Sequence, residues 1–139
     1  MRGGSNSVIY WDTSAVLSML FADDHSVSAG RTVRKPGLHF LSTLAWAETQ
    51  AAIARLQRER AATAALLDAA RDTLQMGPWR RLHIAPKWDL VEMLATDWPL
   101  RGADLWHLAA AKTLREELPE LTLLSFDSRL AAAAKGEGL

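Results

Sequence analysis

The sequence predicts an α/β fold in which one parallel sheet is covered by helices on both faces. Three observations lead there. Short runs of strand-forming character, VIYW, LHFL, RRLHI and LTLL, recur along the chain. The stretches between them carry apolar residues at helical spacing. Short, mostly apolar strands that alternate with helices belong to parallel sheets, whose two faces are both buried. A length of 139 residues with 49% hydrophobic side chains suits a single domain with a sizeable core.

The elements follow in order. Residues 1–7, MRGGSNS, are rich in Gly and Ser and read as a flexible leader, leaving 8–139 as one domain. VIYW at 8–11 is the first strand. Asp12, Thr13 and Ser14 then open a short helix to about residue 21, because short polar side chains accept hydrogen bonds from the free N–H groups of a first turn. A polar helix over 24–33 is closed by KPG, and LHFL at 38–41 is the second strand. Ser42 caps a long alanine-rich helix whose Leu44, Ala45, Glu48, Ala52 and Leu56 share a face. A further helix over 60–76 ends at Gly77-Pro78. RRLHI at 80–84 is the third strand, and Pro86 starts a helix to about residue 98. Gly102 precedes an apolar helix that Pro119 ends, LTLL at 121–124 is the fourth strand, and 126–134 form the last helix. The closing GEGL reads as a frayed end.

Composition removes several function classes. With no Cys there is no disulfide, thiol nucleophile or thiolate zinc site, so a metal must sit on oxygen or imidazole. No apolar run approaches the roughly 18 residues of a membrane span, and the N-terminus lacks a signal-peptide core, which predicts a cytoplasmic protein without membrane contact. Sixteen Lys and Arg balance sixteen Asp and Glu, so nucleic-acid affinity has to come from local clusters. GxxxxGK[ST], GxGxxG and GxSxG are all absent, which leaves nucleotide-binding and acyl-transfer chemistry without support.

The acids are more informative. In an open α/β sheet, ligands bind outside the carboxyl ends of the strands. Asp12 follows VIYW there and Asp127 lies three residues after LTLL. Glu48 falls within the apolar face of its helix, and Asp104 opens the stripe Asp104, Leu108, Ala111. A core-facing carboxylate costs several kcal/mol unless it is paired, hydrogen-bonded or protonated. Singly, each has a plain explanation: helix caps for the aspartates and an Arg pair for Glu48. Gathered at one mouth they would repel one another unless a divalent cation held them, and oxygen ligands select Mg²⁺ or Mn²⁺. Such a site suits phosphoryl transfer. His107 shares a helical face with Asp104 but reads as a packing or hydrogen-bonding residue.

At these residues the chain resembles a known family. WDTSAVL, the acid in STLAWAETQAAI, LRGADLWHLAAA and LLSFDSRLAAAA occur in the order and at the separations of the PIN-domain ribonucleases, most closely the VapC-type toxins of toxin–antitoxin pairs. The resemblance implies a three-layer α/β/α domain around a parallel sheet of four strands, or five where the chain continues into an edge strand. It implies that Asp12, Glu48, Asp104 and Asp127 form a Mg²⁺ or Mn²⁺ site, with Asp12 and Asp104 as direct ligands and Glu48 and Asp127 completing the shell directly or through water. Thr13, Ser14 and Ser125 match positions that keep hydroxyls near the metal. It further implies hydrolysis of RNA to a 5′-phosphate and a 3′-hydroxyl, a homodimer, and inhibition by a small antitoxin.

Arg55, Arg58, Arg101 and Arg129 are the expected RNA-backbone contacts, although each alone reads as an ordinary surface residue. Trp46 and Trp106 lie beside the acids and are expected to pack rather than stack on bases. Two other readings compete. A haloacid-dehalogenase-type phosphatase also places an aspartate after its first strand, but its second aspartate, two positions on, is Ser14 here. A catalytically silent PIN scaffold that only binds a partner is the other.

Overall fold

The computed structural model describes residues 6–139. Residues 1–5 of the expected leader lie outside the described residues, whereas Ser7 already belongs to the first strand. Four strands form one parallel sheet: β1 (Ser7–Trp11), β2 (Gly37–Ser42), β3 (Trp79–Leu82) and β4 (Thr122–Leu124), in spatial order β3-β2-β1-β4. Chain order reverses between β1 and β4, which opens a crevice at their carboxyl ends. Gly37, at φ 132°, starts β2 against Ser7, where a Cβ would meet the Ser7 carbonyl.

Side chains alternate across the sheet and build two cores. Ile9, Trp11, Leu41 and Trp79 face α1 (Thr13–Leu20), α2 (Ser26–Val33), α3 (Thr43–Arg58) and α4 (Ala64–Met76). Val8, Tyr10, Phe40 and Leu123 face α5 (Trp88–Asp97), α6 (Gly102–Arg115) and α7 (Ser128–Gly136). This is a three-layer α/β/α arrangement with a sheet of four strands, as the sequence predicts. Ile53, Leu41, Leu94, Leu108, Leu121 and Leu130 are fully buried, each worth roughly 1.5–3 kcal/mol over exposure.

Several boundaries differ from expectation for local reasons. The fourth helix starts at Ala64 rather than 60, because Arg60 takes a left-handed φ of 52° and Thr63 accepts the Leu66 N–H at 3.2 Å. The third strand is 79–82 rather than 80–84, since its partner β2 ends at Ser42, opposite Leu82. Helix α5 begins after Lys87 rather than at Pro86, and α6 ends at Arg115, short of Pro119. The segment GEGL is not a frayed end: Gly136 closes α7, and Glu137 accepts the Trp98 indole N–H at 2.9 Å and pairs with Lys112.

Candidate functional site

Asp12 sits at the carboxyl end of β1, 2% exposed, and is both helix cap and site wall. Its Oδ1 accepts the Ala15 N–H at 2.8 Å and the Ser14 hydroxyl at 2.7 Å, and its Oδ2 accepts the Ser125 hydroxyl at 2.5 Å. The Asp12 N–H reaches the Leu124 carbonyl at 3.1 Å, Ser14 Oγ accepts the Phe126 N–H at 2.9 Å, and Ser125 Oγ accepts the Asp127 N–H at 3.1 Å. These bonds stitch the turn after β1 to the turn after β4 across the crevice. Burial still pushes the Asp12 carboxyl above its ordinary range, against the hydrogen bonds from Ser125, Ala15 and Ser14.

Glu48 is half-exposed rather than core-facing. The buried face of α3 is Ala45, Thr49 and Ile53. In an alanine-rich helix the apolar stripe leaves its phase open, and Ile53 fixes it one position away from Glu48. The cation expected as its plain partner is not an Arg. Glu48 Oε1 accepts the Thr13 hydroxyl at 2.6 Å and lies 3.2 Å from His107 Nε2, and its pKa is held below the ordinary value chiefly by the His107 bond. Glu48 Oε2 has no hydrogen-bond partner among the described residues.

His107 is 1% exposed, and its Nδ1 lies 2.6 Å from the Tyr10 hydroxyl. Burial raises the Tyr10 pKa, so the phenol keeps its proton and donates to Nδ1, which leaves Nε2–H to donate toward Glu48. Both ring nitrogens are thereby used, in agreement with a hydrogen-bonding role for His107 rather than a ligand role. Tyr10 escaped the sequence reading. Its only signal there is the two-residue alternation that points it away from Trp11, toward α6.

Asp104 lies in the first turn of α6 without a hydrogen bond or ion pair among the described residues. Its pKa is raised first by loss of water, then by the charges of Asp127 and Asp12, with Glu48 adding and His107 opposing. Asp104 is therefore within electrostatic reach of Asp127, Asp12 and Glu48. Asp127 caps α7, its Oδ1 accepting the N–H groups of Arg129 at 3.0 Å and Leu130 at 2.9 Å, while Oδ2 has no bonded partner among the described residues. No Lys or Arg among the described residues pairs with any of the four.

The donor set fits a hard divalent cation: among the described residues Asp12 is held through both carboxylate oxygens, Glu48 and Asp127 through one each and Asp104 through none, while the ring nitrogens of His107 are already hydrogen-bonded and the chain has no Cys. Among the described residues no three His, Asp or Glu side chains stand together as a ready metal site. An open set of this kind fits Mg²⁺, which keeps several waters and takes one or two protein carboxylates beside substrate phosphate oxygens.

Arg55 and Arg58 line a shallow groove of about 370 Å³ on α3 together with Glu48, Ala51 and Ala52. Arg101 is the exposed cap residue of α6, three positions before Asp104, and Arg129 is exposed in the first turn of α7. The four expected RNA contacts thus stand on the same elements as the acids.

Fold and site together define an α/β protein with an acidic mouth at the switch point of its sheet. The PIN domain family model matches residues 9–136, and the chain belongs to that family. The crystal structure of VapC20 from Mycobacterium tuberculosis, a sarcin-ricin loop cleaving toxin, is similar at 20% identity with a TM-score of 0.59, over 90% of this chain and 94% of that one. At that identity the likeness speaks for the fold. No curated protein matches the chain in sequence.

Proposed function

We propose that this PIN-domain protein is an endoribonuclease of toxin type that hydrolyses RNA phosphodiester bonds with Mg²⁺ or Mn²⁺ held by Asp12, Glu48, Asp104 and Asp127. The observation that carries the reading is Asp104, partly desolvated beside three other acids with no counter-charge among the described residues. A bound cation would lower the pKa of an attacking water and neutralise charge gathering on phosphorus.

The chain's own residues divide the remaining work. Asp104 and the open oxygen atoms of Glu48 and Asp127 present lone pairs to the mouth, with Asp104 and Asp12 the direct ligands of the reading. Ser14 and Ser125 hold the Asp12 carboxylate, and Thr13 with His107 hold Glu48, so that little reorganisation is needed on binding. Arg55 and Arg58 continue from Glu48 along the α3 groove, where charge-assisted contacts to phosphates would guide the strand toward the acids. Arg101 and Arg129 flank Asp104 and Asp127 in the same way. The reading includes a cytoplasmic location, a second copy of the chain and a small protein inhibitor as partners. No helix among the described residues is long and apolar enough to cross a membrane.

Cleavage of single-stranded RNA with Mg²⁺ or Mn²⁺ tests this. Asp12→Asn and Asp104→Asn are each expected to reduce the rate by at least about a hundredfold, the scale on which removal of a group stabilising transition-state charge acts. Metal-independent cutting, or cutting unchanged in both variants, sinks the proposal. Tight binding of a protein partner with no cutting under either metal would favour the silent scaffold instead.

A further inference from the structure

A cavity of about 260 Å³ opens at the carboxyl ends of β2 and β3, the same edge of the sheet at which Asp12 follows β1. Leu41 and Leu82 form part of its wall, with Ser42, Trp46, Arg81 and His83 around it. Ser42 and Trp46 precede Glu48 on the β2–α3 segment that carries it, and Leu41 pairs in register with Trp11, the residue before Asp12. The cavity therefore flanks the acidic mouth on the side away from β4.

Its distinguishing feature is the Arg81 guanidinium, which lies over the Trp46 ring at 4.3 Å from the centroid. Arg81 is exposed and makes no ion pair among the described residues. A planar guanidinium stacked on an indole presents its outer face as a further stacking surface, and unpaired RNA bases are recognised on aromatic rings and Arg planes of this kind. The volume lies just below the roughly 300 Å³ at which drug-sized ligand sites begin, a scale for one heteroaromatic ring rather than for a length of peptide.

We infer that the Trp46–Arg81 cavity is a base subsite, taking the unpaired nucleobase of a nucleotide next to the phosphate held at the acids. The inference rests on the reading of the chain as an RNA hydrolase and adds to it where sequence preference would be expressed. Stacking on Arg81 tolerates any base, while the exposed His83 supplies ring nitrogens to base edges.

The test is fluorescence anisotropy on the full chain in the Asp104→Asn background, which preserves the RNA. The probes are a short fluorescein-labelled single-stranded oligoribonucleotide of mixed sequence and its wholly abasic counterpart. Arg81→Ala is expected to weaken the base-bearing probe about tenfold, the scale of one lost base stack. On the abasic probe it is expected to do no more than Arg80→Ala, which removes the same charge from the neighbouring exposed residue. Trp46→Phe, which keeps an aromatic face under the guanidinium, is expected to retain most of the affinity. Equal losses from Arg81→Ala and Arg80→Ala on the base-bearing probe would overturn the inference, since two charges would then act on the backbone alone. So would intact RNA binding by Arg81→Ala combined with loss of binding to an inhibitory protein. If the protein with Asp104 in place cuts RNA and Arg81 proves silent, only the subsite is lost; if it neither cuts nor binds RNA, the nuclease reading falls and the subsite with it.

Discussion

Asp104 is the residue at which stability and function pull apart. Loss of water and the charges of Asp127 and Asp12 hold its carboxyl above the ordinary value. A raised acid contributes most stability below its unfolded pKa and loses it as the pH rises through the folded one, so at neutral pH the ionised group weighs against the fold. Because Asp104 remains largely solvated, the penalty is small. Asp104→Asn is therefore expected to raise the melting temperature of the metal-free protein by about 1–3 °C, given that 1 kcal/mol corresponds to about 2–4 °C in a chain of this order. Differential scanning fluorimetry with a chelator present measures it. A lower melting temperature would mean that Asp104 serves the fold and that its crowding with the other acids has been misjudged.

At the scale of elements, a buried hydrogen bond joins β1 to α6 within their shared apolar core. Tyr10 reaches from the strand to His107 Nδ1 at 2.6 Å, and His107 reaches on to Glu48 of α3, tying three elements through one imidazole. Tyr10→Phe leaves that nitrogen buried without its donor, which costs about 1–3 kcal/mol. Urea denaturation is expected to show a loss of that size with an unchanged m-value; a change under about 0.5 kcal/mol would mean that water replaces the phenol. The elements themselves were legible in the sequence because VIYW, LHFL and LTLL are apolar where both sheet faces are covered, and because Asp12, Ser42 and Asp127 cap the helices they precede. Two kinds of detail were not. The phase of α3 was hidden by its alanines, which misplaced Glu48 on the buried face. The His107–Tyr10 bond and the Arg81–Trp46 stack join residues 97 and 35 positions apart, and periodicity carries no information at that separation. The four acids were recognisable as a set from the ordered motifs, while their local partners required the folded chain.

For the whole molecule, the acids make cation binding, pH and stability one linked problem. Asp12 and Asp104 are both raised, Asp12 by burial and Asp104 by burial and its acidic neighbours, whereas Glu48 is lowered by His107. Without a cation, stability from the two aspartates is fully present below about 3.9, the unfolded carboxyl value, and falls as the pH rises through their folded values. Glu48 acts in the opposite sense: its contribution is present above the unfolded value and is lost as the pH falls through the folded one. A divalent cation binds the ionised aspartates and not the protonated ones, so its stabilising effect must grow over the range in which they titrate. At a hundredfold excess over its dissociation constant a ligand stabilises by about 2.7 kcal/mol, or about 5–10 °C here. The thermal shift on adding Mn²⁺ is thus expected to be smallest at the acid end of the range, to climb with pH, and to level off once both aspartates are ionised. Asp12→Asn and Asp104→Asn should each flatten that curve, while Arg81→Ala, outside the acidic mouth, should leave it unchanged. A shift of equal size at every pH would show that the cation binds without displacing protons from the acids, because a carboxylate must be ionised before it can take the metal.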